Sequence, residues 1–161
     1  PAMVKWAVHK TGEAGRNITR EDILQKLTVD QVMIKNIQPI RNTDSVNDIL
    51  ERFVNNEHIG YPVVDTNEKL RGVLTLSNLK DILTDSDCWK WLVAEDMLEG
   101  SYEKIPAKSK LMEAIKVMEV KGLNLLPVVS GDTNAPVGML ETYHLENAIQ
   151  QELITFQQNI N

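Results

Sequence analysis

The 161 residues carry a net charge of −6, with 42% hydrophobic and 25% charged residues, so we expect a folded globular protein rather than a disordered chain. The acidic balance argues against a general surface for nucleic acids or anionic membranes. The single cysteine, Cys88, excludes an internal disulfide and a multi-cysteine zinc site, and we predict a structural thiol in a reducing compartment. No apolar run reaches the roughly 18 residues of a membrane span, so we predict no direct membrane insertion.

Residues 1–26 are a lead-in to the rest of the chain. Because the chain begins with Pro1 rather than Met, we expect it to be a segment of a larger protein. A short helix is predicted from Glu21 to Leu27. Thr19 is its expected N-cap, and Asp22 completes a capping box three residues later.

Residues 27–83 contain patterns for short strands and two helices. The first helix is amphipathic, because its apolar residues recur three and four positions apart. The strands are rich in β-branched residues, and a polar turn separates the last two. In chain order the predicted elements are an extended segment at 37–40, a helix capped by Asp44, strands at 61–64 and 72–76, and a helix from Ser77 to Leu83.

Residues 92–150 show the same order after a linker at 84–91. Trp89 and Trp91, at the end of this linker, are expected to fill the seam between the two segments. The predicted elements are an extended segment at 104–106, a helix capped by Ser109 and ended by Gly122, strands at 125–129 and 137–140, and a helix at 142–156 that enters a C-terminal extension at 151–161.

The two segments are copies of one unit. Pro62 and Pro127 lie in matching apolar strands 65 residues apart, and Gly72 and Gly138 begin matching segments 66 residues apart. A near-constant offset indicates a duplication. A small sheet with helices on one side leaves its other face bare. We therefore predict an α/β (α+β) fold in which two repeats, each with a three-stranded sheet and two helices, pack sheet to sheet about a pseudo-twofold axis and leave two equivalent clefts.

The repeated pattern resembles the CBS domain, and the pair resembles a Bateman module. The Tyr-Pro-Val-Val-Asp strand at 61–65 and the Gly-Val-Leu-Thr-Leu-Ser-Asn-Leu segment at 72–79 carry the resemblance, together with their second copies. The resemblance implies a regulatory module that binds an adenosine nucleotide, AMP, ADP or ATP, or a related ligand. It does not imply catalysis, and the sequence has neither a P-loop nor a nucleophile motif. No local ligand spacing indicates a metal site.

In this family the turn Gly-apolar-x-Ser/Thr-x-x-Asp binds a ribose and a phosphate. Gly72, Thr75 and Asn78 hold these positions in the first repeat. A helix N-terminus favours a phosphate, and Asn78 can accept from a ribose hydroxyl, although more weakly than the usual Asp. The resemblance implies an apolar wall from the second repeat, made by Met97, Ile105 and Leu123. We name this predicted site the first cleft.

The second copy departs from the pattern. Glu141 stands where Ser or Thr belongs, and His144 stands where Asp belongs. A carboxylate at a helix N-terminus would satisfy the helix dipole itself and repel a phosphate. We name the predicted site of Glu141 and His144, with Ile37 and His58 of the first repeat, the second cleft, and we expect it to be a poor nucleotide site.

Two functional hypotheses follow. In the first, Thr75 and Asn78 bind a nucleotide and the module senses it. In the second, these residues only begin a helix, and the module is a structural or dimerisation unit. The resemblance implies a homodimer through the helices. Residues 6–33 resemble, weakly, the entry to the cytosolic CBS region of CLC-type chloride channels and transporters, so we expect a cytoplasmic protein or the cytosolic domain of a membrane protein.

Overall fold

Each repeat contains one three-stranded sheet. This computed structural model describes residues 5–7, 17–55, 58–85 and 89–160, so Cys88 lies outside the described residues. In both sheets a short first strand runs parallel to the middle strand, and the third strand runs antiparallel to it. The strands are β1 (Lys5–Ala7) and β2 (Asn17–Thr19), which pair with each other, then β3 (Ile40–Arg41), β4 (Gly60–Val64) and β5 (Leu70–Thr75), and finally β6 (Ile105–Pro106), β7 (Leu125–Val129) and β8 (Pro136–Glu141).

The helices confirm the predicted order of elements. The Thr19 hydroxyl accepts from the Asp22 N–H, and the Asp22 carboxylate accepts from the Thr19 N–H, so the predicted capping box is confirmed. Gly122 ends its helix in the left-handed conformation, with φ of 65°, as predicted. The helices are α1 (Arg20–Lys26), α2 (Val29–Val32), α3 (Val46–Asn55), α4 (Leu76–Asp85), α5 (Leu111–Lys121) and α6 (Thr142–Ile160), with 3-10 turns at Trp89–Trp91 and Ala94–Met97.

Three predicted N-caps are wrong, each by one or two residues. Ser45 rather than Asp44 accepts the N–H of Asp48 at the start of α3. Helix α4 begins one residue before Ser77. Ser109 is not the N-cap of α5, because the helix begins at Leu111 and Lys110 holds the N-cap position.

The tryptophans of the linker behave differently from each other. Trp89 is partly buried against the core of the first repeat. Trp91 is 82% exposed, so the prediction that it fills the seam is wrong.

Each hydrophobic core includes the segment that precedes the other repeat. Ile23 and Leu24 of α1 are buried with apolar residues of the second repeat. Ala94 and Met97, which precede the second repeat's first strand, are buried with residues of the first repeat. The predicted boundaries at 27–83 and 92–150 therefore describe the duplication in sequence, whereas the cores cross them.

Matching backbone hydrogen bonds show the pseudo-twofold relationship. The N–H of Val29 donates to the carbonyl of Ser109 at 2.9 Å, and the N–H of Ala94 donates to the carbonyl of Asp44 at 2.9 Å. Donors and acceptors are each 65 residues apart, so the two bonds are equivalent. The sheets meet near Gly60, where a Cβ would lie 2.7 Å from the Leu125 side chain. The predicted fold class is confirmed.

A charged contact holds one of these crossing segments. Glu95 accepts hydrogen bonds from Arg71 at 2.5 Å and from Asn42 at 3.2 Å, both in the first repeat. These bonds, the one from Arg71 first, hold the pKa of Glu95 below its ordinary value. The segment before the second repeat is thus fixed to the first repeat by backbone, apolar and charged contacts together.

None of the described helices combines the length and the apolar character that a membrane crossing requires.

Candidate functional site

An open cavity of about 460 Å³ lies between the two repeats. The end of β5 and the start of α4 form one wall, and the loop before β7 forms another. Gly72, Thr75 and Asn78 of the predicted first cleft line this cavity, and so does Leu123 from the second repeat. The structure thus brings together four of the six residues assigned to that cleft from the sequence.

Thr75 and Asn78 form a reciprocal cap at the start of α4. The Asn78 N–H donates to the Thr75 hydroxyl at 3.2 Å, and the Thr75 N–H donates to the Asn78 carboxamide oxygen at 3.1 Å. The Thr75 hydroxyl also donates to the same oxygen at 2.9 Å. Both side chains are half-buried. They therefore have a structural role at the helix start, and their contact with a ligand stays a prediction.

Gly72 is buried where the chain before β6 crosses β5. A Cβ at this position would lie 3.0 Å from Cδ2 of Leu98. The glycine therefore lets the Leu98 side chain pack directly on the β5 backbone.

Met97 and Ile105 do not line the cavity, contrary to the prediction. Each is 6% exposed; Met97 lies in the core of the first repeat and Ile105 in the core of the second. Ile105 is in β6, where it pairs with Val128. Their places are taken by the chain between them, because Glu99 and the segment 101–103 line the cavity.

Tyr102 is the lining residue that sequence analysis missed most clearly. Its hydroxyl donates to the carbonyl of Leu70 in β5 at 3.0 Å, which fixes the 101–103 segment across the first-repeat sheet. The copy of Tyr102 in the first repeat is Ile37, 65 residues earlier. This difference between the copies was the signal available in the sequence.

The second cleft is crossed by the chain that follows α2. Ile34 pairs with Met139 of β8 through two backbone hydrogen bonds, at 2.8 and 3.1 Å. A Cβ at Gly138 would lie 2.6 Å from the Ile34 carbonyl oxygen, so only glycine permits this approach. The backbone at Ile34 therefore covers the part of β8 around Gly138. The corresponding part of β5, around Gly72, lines the open cavity.

Glu141 makes the contacts of this second cleft. Its carboxylate accepts from the Ile59 N–H at 3.3 Å and lies 3.7 Å from Nδ1 of His58, and its side chain is 11% exposed. Ile37 is half-buried against the first-repeat core. His144 is exposed on α6, and no hydrogen bond or ion pair joins it to the other described residues of the cleft. Glu141 and His58 are thus brought together, and His144 is not.

No group of three or more His, Cys, Asp or Glu side chains with metal-binding geometry occurs in the described ranges. The chemistry of the open cavity is instead that of hydroxyl, amide and carboxylate groups beside apolar surface.

This chain is similar to a known protein family and to solved structures. Residues 29–85, the first repeat, match the family model of the CBS domain. The CBSX2 protein in complex with AMP has a TM-score of 0.68 with this chain and is 26% identical, and the match covers 78% of this chain and 97% of that one. The first repeat thus matches the CBS-domain family, and the whole chain has the fold of a CBS-domain pair.

Two further solved structures support the fold alone. CBSX2 from Arabidopsis thaliana has a TM-score of 0.66 at 23% identity and covers 78% of this chain and 95% of its own. A Vibrio cholerae protein assigned to acetoin utilization, AcuB, has a TM-score of 0.72 at 20% identity and covers 83% and 96%.

A curated relative is longer than this chain. Homoserine O-acetyltransferase from Methanocorpusculum labreanum is 29% identical over 130 residues, which are 79% of this chain and 26% of that protein. The chain thus spans about a quarter of the length of this relative.

Proposed function

We propose that this CBS pair is a regulatory module that binds an adenosine-type ligand in the first cleft. One observation carries the proposal: the motif residues Gly72, Thr75 and Asn78 and the apolar Leu123 line the same open cavity of about 460 Å³. This volume is in the range of pockets that hold small molecules. The AMP complex of CBSX2 supports an adenosine ligand by similarity.

The asymmetry between the clefts supports a single site in each chain. Ile34 and Glu141 use the groups of the second cleft for contacts within the protein. The corresponding residues of the first repeat, Val73 and Thr75, line the open cavity. We therefore expect one ligand per chain by calorimetry.

A thermal-shift panel of adenosine, AMP, ADP, ATP and S-adenosylmethionine tests the proposal. A ligand at 100 times its dissociation constant stabilises the folded state by about 2.7 kcal/mol, which is readily measured as a rise in Tm. No shift with any of these compounds at millimolar concentration would overturn the proposal.

The variants for this test must respect the cap at α4. Thr75→Ala removes the cap and lowers stability by about 1 kcal/mol even without ligand. Thr75→Ser and Asn78→Asp keep the cap, so their effects on binding are easier to interpret. Asn78→Asp supplies a charged acceptor and should bind the ribose several-fold more tightly. His144→Ala, at the matching position of the second repeat, should leave the shift unchanged.

The sensed ligand would regulate a larger parent protein. The longer relative favours an enzyme as parent, whereas the resemblance at residues 6–33 favours a CLC-type channel or transporter. Sequencing the complete reading frame would distinguish membrane spans from an enzyme domain.

A homodimer through the CBS helices is a second proposal, compatible with the first. Val54 at the end of α3 is 81% exposed, and Val120 at the corresponding end of α5 is 75% exposed. The double variant Val54→Lys with Val120→Lys should be monomeric by sedimentation if these helices form the interface. If the double variant is still a dimer, these helix ends are not the interface. If the protein without the substitutions is a monomer, the homodimer proposal is overturned.

A further inference from the structure

The open cavity has an acidic rather than a basic lining. Its charged lining residues are Glu99, which is exposed, and Glu103, which is half-buried; among the residues that the structure describes, no Lys, Arg or His lines it. Lys121 lies beside this region, with its ammonium 3.7 Å from the Glu103 carboxylate. This solvent-exposed pair offsets the Glu103 charge only in part, and no described lining residue offsets that of Glu99, so the lining stays negative overall.

The start of α4 offers few free N–H groups to a phosphate. The Leu76 N–H donates to the carbonyl of Ile59 at 2.9 Å. The N–H groups of Thr75 and Asn78 donate to each other's side chains in the cap described above. To use any of these three N–H groups, rather than that of Ser77 alone, a phosphate would have to displace acceptors that the protein already supplies, which removes much of the usual advantage of a helix N-terminus.

The remaining lining suits an uncharged nucleoside. Leu123, Leu125 and Ile59 provide apolar surface, and Tyr102 provides an aromatic ring held by its bond to β5. The amino group of Asn78 has no hydrogen-bond partner among the described residues, so it can donate to a ligand oxygen.

We propose that the first cleft selects adenosine derivatives without a phosphate tail, and that Glu99 and Glu103 are its specificity-determining residues. A neutral 5′ substituent is accepted and a positively charged one is preferred, because the carboxylates attract a cation and repel an anion. This inference rests on the proposed function, since it specifies which adenosine compounds the same cavity binds.

Three adenosine compounds that differ only at the 5′ position test the selectivity by calorimetry. They are 5′-amino-5′-deoxyadenosine, whose amine is protonated at neutral pH, adenosine, and AMP. We expect affinity to fall in that order, with AMP about tenfold weaker than adenosine, the size of a partly screened charge repulsion near a protein surface. Added salt should improve the binding of AMP and weaken that of the amine.

The double variant Glu99→Gln with Glu103→Gln isolates the carboxylates. It should bring the affinity for AMP close to that for adenosine, so that the ratio of the two affinities approaches one. Glu152→Gln, an exposed carboxylate of α6 outside the cavity lining, is the matched control and should change none of the three affinities.

The outcomes separate this inference from the proposed function. Tighter binding of AMP than of adenosine by the natural protein would overturn the charge selectivity and leave the adenosine site standing. An unchanged preference in the double variant would overturn the role of the two glutamates. Binding of none of the three compounds would overturn both proposals.

Discussion

The Glu141 carboxylate of the second repeat accepts a hydrogen bond from the backbone N–H of Ile59 in the first repeat, at 3.3 Å. At the matching position of the first repeat stands Thr75, which lines the open cavity. The same place in the duplicated unit therefore joins the repeats in one cleft and borders a cavity in the other. Divergence of this one position accounts for much of the inequality of the clefts.

We expect Glu141→Ala to lower the free energy of unfolding by about 1–2 kcal/mol, because the N–H of Ile59 loses its acceptor. Glu141→Gln should cost less, since its amide oxygen still accepts. Urea denaturation measures both. His144→Ala, at an exposed position on the same helix, should change stability by less than about 0.5 kcal/mol. Equal stability of Glu141→Ala and the natural protein would show that this bond does not hold the repeats together.

The two motif glycines should respond unequally to the same substitution. A Cβ at Gly138 would lie 2.6 Å from the carbonyl oxygen of Ile34, whose position is fixed by its bond from Met139. A Cβ at Gly72 would meet only the end of the Leu98 side chain, at 3.0 Å, which can rotate away. We expect Gly138→Ala to cost about 2–3 kcal/mol and Gly72→Ala less than about 1 kcal/mol in thermal or urea unfolding.

The reverse order of these two costs would contradict the crossing of the second cleft by Ile34. Equal and small costs would show that the chain at 33–34 moves easily. Neither glycine has a positive φ, so the comparison measures contact alone and not backbone strain.

Much of the fold follows from local patterns in the sequence. The period of apolar residues predicts α3 and α5, and the proline-centred apolar runs predict β4 and β7. These patterns appear twice at a constant offset, which was sufficient to predict two sheets with the same topology. The motif at Gly72, Thr75 and Asn78 was placed at a cleft by the resemblance to the CBS domain, and its residues are close together in the chain.

The missed parts of the site depend on long-range packing. An apolar side chain such as that of Met97 suits a cavity wall as well as a core. Met97 is in the core because its segment crosses onto the first repeat. Tyr102 differs from its copy Ile37, but neither Tyr102 nor Glu103 belongs to a motif, so their place at the cavity depends on the path of the chain between the repeats. The contact of Ile34 with Met139 joins positions about a hundred residues apart and leaves no local pattern.

Met97 and Leu123 should therefore differ in what they affect. Met97→Ala removes a side chain from the core and should cost about 2–4 kcal/mol, while the remaining folded protein binds adenosine with unchanged affinity. Leu123→Ala, at a half-buried position of the cavity wall, should cost less stability and weaken adenosine binding several-fold. Urea denaturation and calorimetry below the Tm of each variant give the two measurements. If Met97→Ala weakens adenosine binding and Leu123→Ala does not, Met97 belongs to the cavity wall, as predicted from the sequence.

Asp30 should give the protein a measurable dependence of stability on pH. Its carboxylate accepts from the Lys108 ammonium at 2.8 Å and from the Thr28 hydroxyl. These hydrogen bonds, the one from Lys108 first, hold the pKa of Asp30 below its ordinary value. The contribution to stability is therefore present above about pH 4, the ordinary range of an aspartate, and is lost as the pH falls through the lower pKa of the folded state.

The difference in unfolding free energy between the natural protein and Asp30→Asn should accordingly be largest near neutral pH and should shrink in acid. Lys108 is 88% exposed, so we expect a difference of less than about 1 kcal/mol that decreases with added salt. Lys108→Met is the matched variant, because it removes the main cause of the lowered pKa and keeps the carboxylate. Urea denaturation at several pH values measures the effect. A difference that stays constant from about pH 3 to pH 7 would show that Asp30 contributes through packing or the neutral hydrogen bond and not through its charge.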